Sequence, residues 1–98
     1  MKKLNPTQIR FLRAQGHHLK PVVLIGDKGL SDAVLKEISG TIKSHELIKI
    51  KVMNDERSER EAMLETICTT TGAAAIQHIG KILLVYKPAA QAKLVLPR

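Results

Sequence analysis

The chain has 98 residues, 44% of them hydrophobic and 26% charged, and this ordinary globular composition predicts one domain spanning residues 1–98. Sixteen Lys and Arg against nine Asp and Glu give a net charge of +7, which favours a polyanionic partner such as nucleic acid. With one Phe, one Tyr and no Trp, the composition argues against proteins that hold RNA by stacking several bases on exposed rings.

Hydropathy and cysteine content indicate the compartment. The longest apolar runs, Val22–Ile25 and Ile82–Tyr86, are the size of strands and too short to cross a bilayer. The polar residues after Leu4 leave no apolar segment of the kind that a signal peptide needs. Because Cys68 is the one cysteine, an internal disulfide is excluded. We therefore expect a cytoplasmic protein with no membrane partner.

The first predicted elements are a helix and a short strand. Asn5 is a suitable N-cap, and Gln8 at the third helical position completes a capping box. The helix begins at Pro6 and ends near residue 15, because Gly16 interrupts it. The strand Val22–Ile25 follows, and its continuous apolar character predicts burial on both faces, as in a parallel sheet.

A second helix and strand come next. The helix runs from about Asp32 to Lys43, with Ser31 as its cap and one apolar stripe. The strand Leu47–Met53 alternates between apolar residues and lysines, which predicts one buried and one polar face. Since a helix connects the two strands, they should pair in parallel through a right-handed crossover.

The rest of the chain predicts a helix and a hairpin. The third helix runs from about Glu56 to Thr71 and ends at Gly72. Ala74–Ile79 and Ile82–Lys87 form the hairpin, while Lys93–Arg98 alternates weakly and is a candidate edge strand. The order α-β-α-β-α-β-β predicts a single α/β domain with a mixed four-stranded sheet.

A glycine turn, Gly26-Asp27-Lys28-Gly29, separates the first strand from the second helix. Glycine allows close approach of another backbone, and the free amides of the helix start attract phosphate. Lys28 adds a cation, while Asp27 opposes an anion. A tight turn without any ligand is the alternative, and the Walker A spacing is absent.

Other basic side chains precede this turn. Arg10 and Arg13 are one helical turn apart, and His18 and Lys20 lie in the connection to the first strand. Lys49 and Lys51, on the polar face of the second strand, suit either an RNA contact or protection of a sheet edge. The predicted RNA-contacting residues are Gly26, Asp27, Lys28, Gly29, Lys20, His18, Arg10 and Arg13.

The histidines and carboxylates do not form a recognisable chemical site. His17 and His18 are adjacent, His45 and His78 belong to different segments, and no zinc-ligand spacing includes Cys68. The carboxylates of residues 55–65 are spaced as a solvated helix face. No set of nucleophile, base and orienting group is present, so we expect no enzyme, metal, cofactor or small-molecule substrate.

Several blocks of sequence resemble the CRM domain, the chloroplast RNA splicing and ribosome maturation module that forms the stand-alone YhbY family in bacteria. The first block is Leu19–Val23 with Gly26-x-x-Gly29-Leu30. The second is His45–Lys51, and the third is Thr71-Gly72 with Ile79–Pro88. Asp27 at the loop tip and Lys87, where Arg is common, depart from the family pattern.

This resemblance implies a fold similar to the C-terminal domain of translation initiation factor 3. It also implies RNA binding through the glycine loop and, for stand-alone bacterial members, association with precursors of the large ribosomal subunit. We expect a monomeric RNA-binding protein that acts in ribosome assembly. The alternative is a protein-docking assembly factor, which would bind an acidic or ribosomal protein through its basic surface and exposed sheet face.

Overall fold

The first helix, α1, is set by its cap and by a close approach to the sheet. In the computed structural model, which describes residues 3–98, α1 spans Pro6–Gly16. The Asn5 side chain accepts from the Gln8 amide at 2.8 Å and the Gln8 side chain from the Asn5 amide at 3.0 Å, which confirms the capping box. A Cβ on Gly16 would lie 2.6 Å from a methyl group of Leu84, so glycine lets the helix end pack directly on the sheet.

The other helices also agree with their predicted starts and ends. The helix α2 spans Asp32–His45, two residues longer than predicted, and the Ser31 hydroxyl caps it by accepting from the Val34 amide at 3.2 Å. The helix α3 spans Arg57–Thr71 and ends at Gly72, whose φ of +78° is left-handed.

Four strands form one mixed sheet in the order β1-β2-β4-β3. Their bounds are Pro21–Ile25 for β1, Leu47–Val52 for β2, Ala74–Ile79 for β3 and Ile82–Tyr86 for β4. The pair β1–β2 is parallel, and β2–β4 and β3–β4 are antiparallel. The predicted α-β-α-β-α-β-β fold with a mixed four-stranded sheet is therefore confirmed.

The two faces of the sheet are covered differently. On the inner face α2 and α3 enclose a large apolar core, which is centred on Ile38, Ile50 and Ile67, all fully buried. On the outer face α1 packs across β2, β3 and β4, where Leu12 meets Leu84 in a second, smaller core. The outer face near β1 is left to solvent.

The prediction that β1 is buried on both faces is wrong. Val22 is 49% exposed and Leu24 is 58% exposed, whereas Val23 and Ile25 are buried. The reason is topological: β1 lies at the sheet edge, and α1 crosses the other three strands. A continuous apolar run in this strand reflects one packed face and one face of exposed apolar side chains.

The C-terminal tail forms no edge strand, so this expectation is also wrong. The backbone amides of Ala89, Lys93 and Leu94 donate to the Glu46 carboxylate at 2.9, 3.2 and 2.9 Å. The Gln8 side chain donates to the Pro97 carbonyl at 3.0 Å, and Leu94 joins the smaller core. The amides of the tail donate to the Glu46 side chain and are therefore not free to pair with a strand.

No helix within residues 3–98 is both long and apolar enough to cross a membrane.

Candidate nucleic-acid interface

The glycine turn is a tight turn between β1 and α2. The Gly29 amide donates to the Gly26 carbonyl at 3.0 Å, closing a four-residue turn. Gly29 has φ +75°, a conformation that an L-residue with a side chain rarely adopts, so the fold itself requires glycine there. Asp27 and Lys28, at the tip, are exposed.

Gly26 differs from Gly29 because the fold does not require it. Its φ is not left-handed, and a Cβ built on it would meet no atom of residues 3–98 within 4 Å. Packing of the chain therefore gives no reason for glycine at position 26. The space beside its backbone is open to solvent, so another molecule can approach the main chain there.

The start of α2 offers backbone amides close to this turn. The Ser31 hydroxyl accepts a hydrogen bond from the Val34 amide. Helix geometry leaves the amides of Asp32 and Ala33 without an intrahelical acceptor. These amides carry the partial positive charge of the helix N-terminus. The Asp32 carboxylate in the first turn reduces that potential.

One side of the glycine turn is acidic. A groove of about 380 Å³ lies between Gly26 and the start of α3, where Asp55, Glu56 and Glu59 line it. Lys81 pairs with Asp55 at 2.7 Å, and this hydrogen bond and charge lower the pKa of the Asp55 carboxyl. The carboxylates on this side of the turn oppose an approaching phosphate. Charge along the sequence did not predict this, because the acidic segment and the turn are distant in the chain.

His18 and Lys20 lie at the opposite end of β1 from the glycine turn. Both are exposed, in the connection that follows α1. Since each residue of a strand advances by about 3.3 Å, Lys20 is about 20 Å from Gly26. Proximity in sequence therefore does not bring these cations to the turn, and one ligand would have to extend along β1 to contact both.

Arg10 and Arg13 lie on α1. Arg13 donates through Nε to the Ile76 carbonyl at 3.1 Å, which places its side chain over β3, at the sheet edge opposite β1. Arg10 is exposed on the same helix. The ion pairs recorded among residues 3–98 involve Glu61 and Asp55, so these two arginines keep their charge uncompensated by any carboxylate partner. They form a second basic region, separate from the glycine turn.

A buried polar cluster at the start of α3 was not anticipated from the sequence. Arg60 is buried and donates to the Asn54 carbonyl at 2.9 Å and to His78 Nε2 at 3.1 Å. His78 then donates through Nδ1 to Glu61, and this bond holds the pKa of the Glu61 carboxyl below its ordinary value of 4.5. The cluster joins α3 to β3; Arg60 and the His78 side chain are buried in it, while the Glu61 side chain is half exposed and also pairs with Arg57.

Glu46 has a structural role that the sequence did not reveal. It is buried, it has φ +63°, and its backbone carbonyl accepts from the Lys87 amide at 2.8 Å. Burial disfavours the carboxylate, but the three amides from the tail outweigh burial and lower its pKa below 4.5. Glu46 therefore fixes the tail against the outer side of the fold.

Among the residues that the structure describes, no cluster of chemistry-bearing side chains resembles an active site. Within residues 3–98, no three His, Cys, Asp or Glu side chains converge in a way that could hold a metal ion. Cys68 is half-buried, and burial raises the pKa of its thiol. A thiol of raised pKa is a poor nucleophile at neutral pH.

Comparison with known proteins agrees with the motifs. Residues 4–87 match the CRS1/YhbY (CRM) domain family. An RNA-binding protein of Haemophilus influenzae is 43% identical over 98 residues, covering 100% of this chain and 99% of its own. A "probable RNA-binding protein" of Pseudomonas aeruginosa is 39% identical over 84 residues, 86% of this chain and 81% of that protein.

A solved structure shares the fold. The solution structure of a hypothetical protein from Staphylococcus aureus, proposed to bind RNA, matches with a TM-score of 0.84 and 28% identity. The match covers 97% of this chain and 100% of the other. The resemblance inferred from the sequence blocks is confirmed, and the chain belongs to the CRS1/YhbY (CRM) domain family.

Proposed function

We propose that this protein binds RNA in the cytoplasm, without a catalytic step, and that its target is ribosomal RNA in precursors of the large ribosomal subunit. RNA binding is supported by the names of the relatives and by the net charge of +7. The ribosomal target is implied by the family resemblance. The protein acts as a monomer that stabilises an assembly intermediate.

The glycine turn is the proposed centre of the interface. The observation that carries this proposal is the open space at Gly26, where the fold has no need of glycine. An RNA backbone approaching the exposed main chain would receive hydrogen bonds from the amides at the start of α2. Lys28 supplies a cation at the tip, and the acidic groove beside α3 directs the RNA toward β1.

The remaining basic residues extend this contact in two directions. Lys20 and His18 follow at the far end of β1, and Arg10 and Arg13 form a separate region on α1. Because these groups are spread over the molecule, the proposed ligand is a structured RNA and not a single short strand. The surface binds RNA phosphates through cations and main-chain amides, and it has no exposed aromatic ring among residues 3–98. The affinity therefore depends chiefly on contacts with the RNA backbone.

Charge reversal tests the electrostatic contacts. We expect a variant with Lys20→Glu and Lys28→Glu to bind a transcribed fragment of large-subunit RNA more weakly and with a smaller salt dependence. Two lost phosphate contacts would reduce the slope of log affinity against log salt by about 1.4 to 1.8. Fluorescence anisotropy over a salt series measures this slope.

The matched control carries Lys36→Glu and Lys43→Glu. Both are exposed lysines of α2, so the control changes the net charge by the same amount. The control should keep a slope near that of the parent protein. If the two double variants lose affinity equally, the net charge and not the proposed contacts controls binding.

Sedimentation tests the ribosomal target. In extracts of the native host, the tagged protein should migrate with large-subunit precursors, and mild ribonuclease treatment should release it. The Lys20→Glu, Lys28→Glu variant should shift toward the top of the gradient. Association that persists after complete RNA digestion would instead support the protein-docking alternative.

A further inference from the structure

The outer face of the sheet carries exposed apolar side chains beyond the edge of α1. Strand register places Leu24 opposite Lys51, Lys51 opposite Ile82, and Ile82 opposite Ile79, so these four side chains form one row across the sheet. Leu24 and Ile79 are 58% and 57% exposed. We call this row, together with Val22 and Lys49 on the same face, the open face.

The open face borders a free strand edge. The Met53 amide donates to the Ile25 carbonyl at 2.9 Å, so the backbone groups of Ile25 face β2. By strand alternation, the amide and carbonyl of Leu24 point away from β2, toward the open edge of the sheet, whereas a register shift between Pro21 and Val23 interrupts the alternation at Val22. Edge strands of soluble proteins are usually protected from pairing by charge, proline or bulges; β1 has proline and a register shift at its start but no charged residue in Pro21–Ile25, so its end at Leu24 is unprotected.

The chemistry of the open face selects its ligand. Its exposed apolar groups are aliphatic, while Tyr86 is buried in the smaller core and Phe11, on α1, is packed against that core. A surface without exposed rings offers nucleic-acid bases no stacking platform, but aliphatic side chains bury well against those of another protein. Lys49 and Lys51 are the charged members of the face, so the complementary partner carries carboxylates.

We propose that the open face and the β1 edge form a docking site for an extended protein segment rich in apolar and acidic side chains. The segment adds as a further strand beside β1, bonding to the main chain of Leu24. Its apolar side chains cover Val22 and Leu24, and its carboxylates meet Lys51 and Lys49. This site lies along β1, beside the path by which RNA at the glycine turn would reach Lys20, so a bound segment would compete with the Lys20 contact.

A second copy of the chain fits this site less well. Two β1 edges side by side would bring the lysines of both open faces close together on one face of a joined sheet. Each copy also carries a net charge of +7. Like charges placed together oppose association, whereas an acidic segment relieves the same repulsion.

A titration of the ¹⁵N-labelled full chain with two capped heptapeptides tests the proposal. One peptide is Val-Thr-Glu-Thr-Val-Thr-Glu, which puts Val and Glu on the same face of the added strand, and the other has Lys in place of Glu. The Glu peptide should shift the amide resonances of residues 22–25 and 49–51, and the Lys peptide should leave them unchanged. Leu24→Thr, which keeps strand propensity, and Lys51→Glu should each weaken binding about fivefold or more.

Val95→Thr is the matched control, because Val95 is an apolar residue of the tail that is 82% exposed. It should bind the Glu peptide as the parent protein does. Equal binding of both peptides, or no shift in β1 at millimolar Glu peptide, would overturn the proposal. It would also be overturned if a mixed-sequence RNA oligonucleotide shifted these amides instead, or if they shifted with protein concentration alone through self-association.

Discussion

The two faces of the sheet differ in how completely other elements cover them. The inner face is closed by α2 and α3, and its strand residues, such as Ile50 and Val85, are fully buried. The outer face is covered by α1 and the C-terminal tail over β2, β4 and β3, while the side chains of β1 remain exposed. The same strand, β1, thus contributes Val23 to the core and Leu24 to solvent.

This difference separates stability from function. Residues of the inner face have no spare surface for a partner, and their role is to hold the sheet together. The outer face near β1 and the strand ends present main-chain groups, cations and aliphatic side chains that the packing of the chain leaves exposed. Substitutions on the two faces should therefore affect different measurements.

The largest expected effect lies on the inner face. Ile50→Ala removes three buried carbons from the centre of the core and should lower the free energy of unfolding by about 2–5 kcal/mol. Leu24→Ala, its neighbour on the outer face, should change it by about 0.5 kcal/mol. Urea denaturation of the two variants measures both values, and similar losses would mean that β1 is packed on both faces after all.

A smaller effect is expected where the tail closes the outer face. Glu46→Gln removes the charge that accepts three amides and should cost about 1–3 kcal/mol. Since the pKa of Glu46 is lowered in the folded state, its stabilisation is complete above pH 4.5 and is lost as the pH falls through the folded-state pKa. The difference between parent and variant should thus shrink below pH 4.5 in urea denaturation. A constant difference down to pH 2 would contradict the carboxylate's role.

Local signals in the sequence predicted most of the fold. The capping box of Asn5 and Gln8, the cap of Ser31 and the left-handed end at Gly72 are contacts between near neighbours, so short patterns are sufficient to locate them. The helix between β1 and β2 predicted their parallel pairing. The glycine turn was also located correctly, because its residue pattern is local.

Features that depend on distant contacts could not be predicted in this way. The exposure of Leu24 follows from which strands α1 crosses, and the position of Arg13 follows from its bond to Ile76 across the molecule. The tail was misread because its amides donate to Glu46, more than 40 residues earlier in the chain. A single glutamate between a helix and a strand gives no sign of that role in the sequence.

The smallest expected effect on stability accompanies the most direct test of the proposed interface. Gly26→Ala adds a methyl group to open space and should change the free energy of unfolding by about 0.5 kcal/mol. Gly40→Ala is the control, since Gly40 also faces open space but lies within α2.

We therefore propose to measure the affinity of both variants for the same large-subunit RNA fragment, alongside their unfolding free energies. Gly26→Ala should bind about tenfold more weakly, a loss of about 1.4 kcal/mol, because its methyl group displaces the RNA backbone from the turn. Gly40→Ala should bind like the parent protein. Unchanged affinity in a folded Gly26→Ala variant would contradict the assignment of the glycine turn as the RNA-binding element.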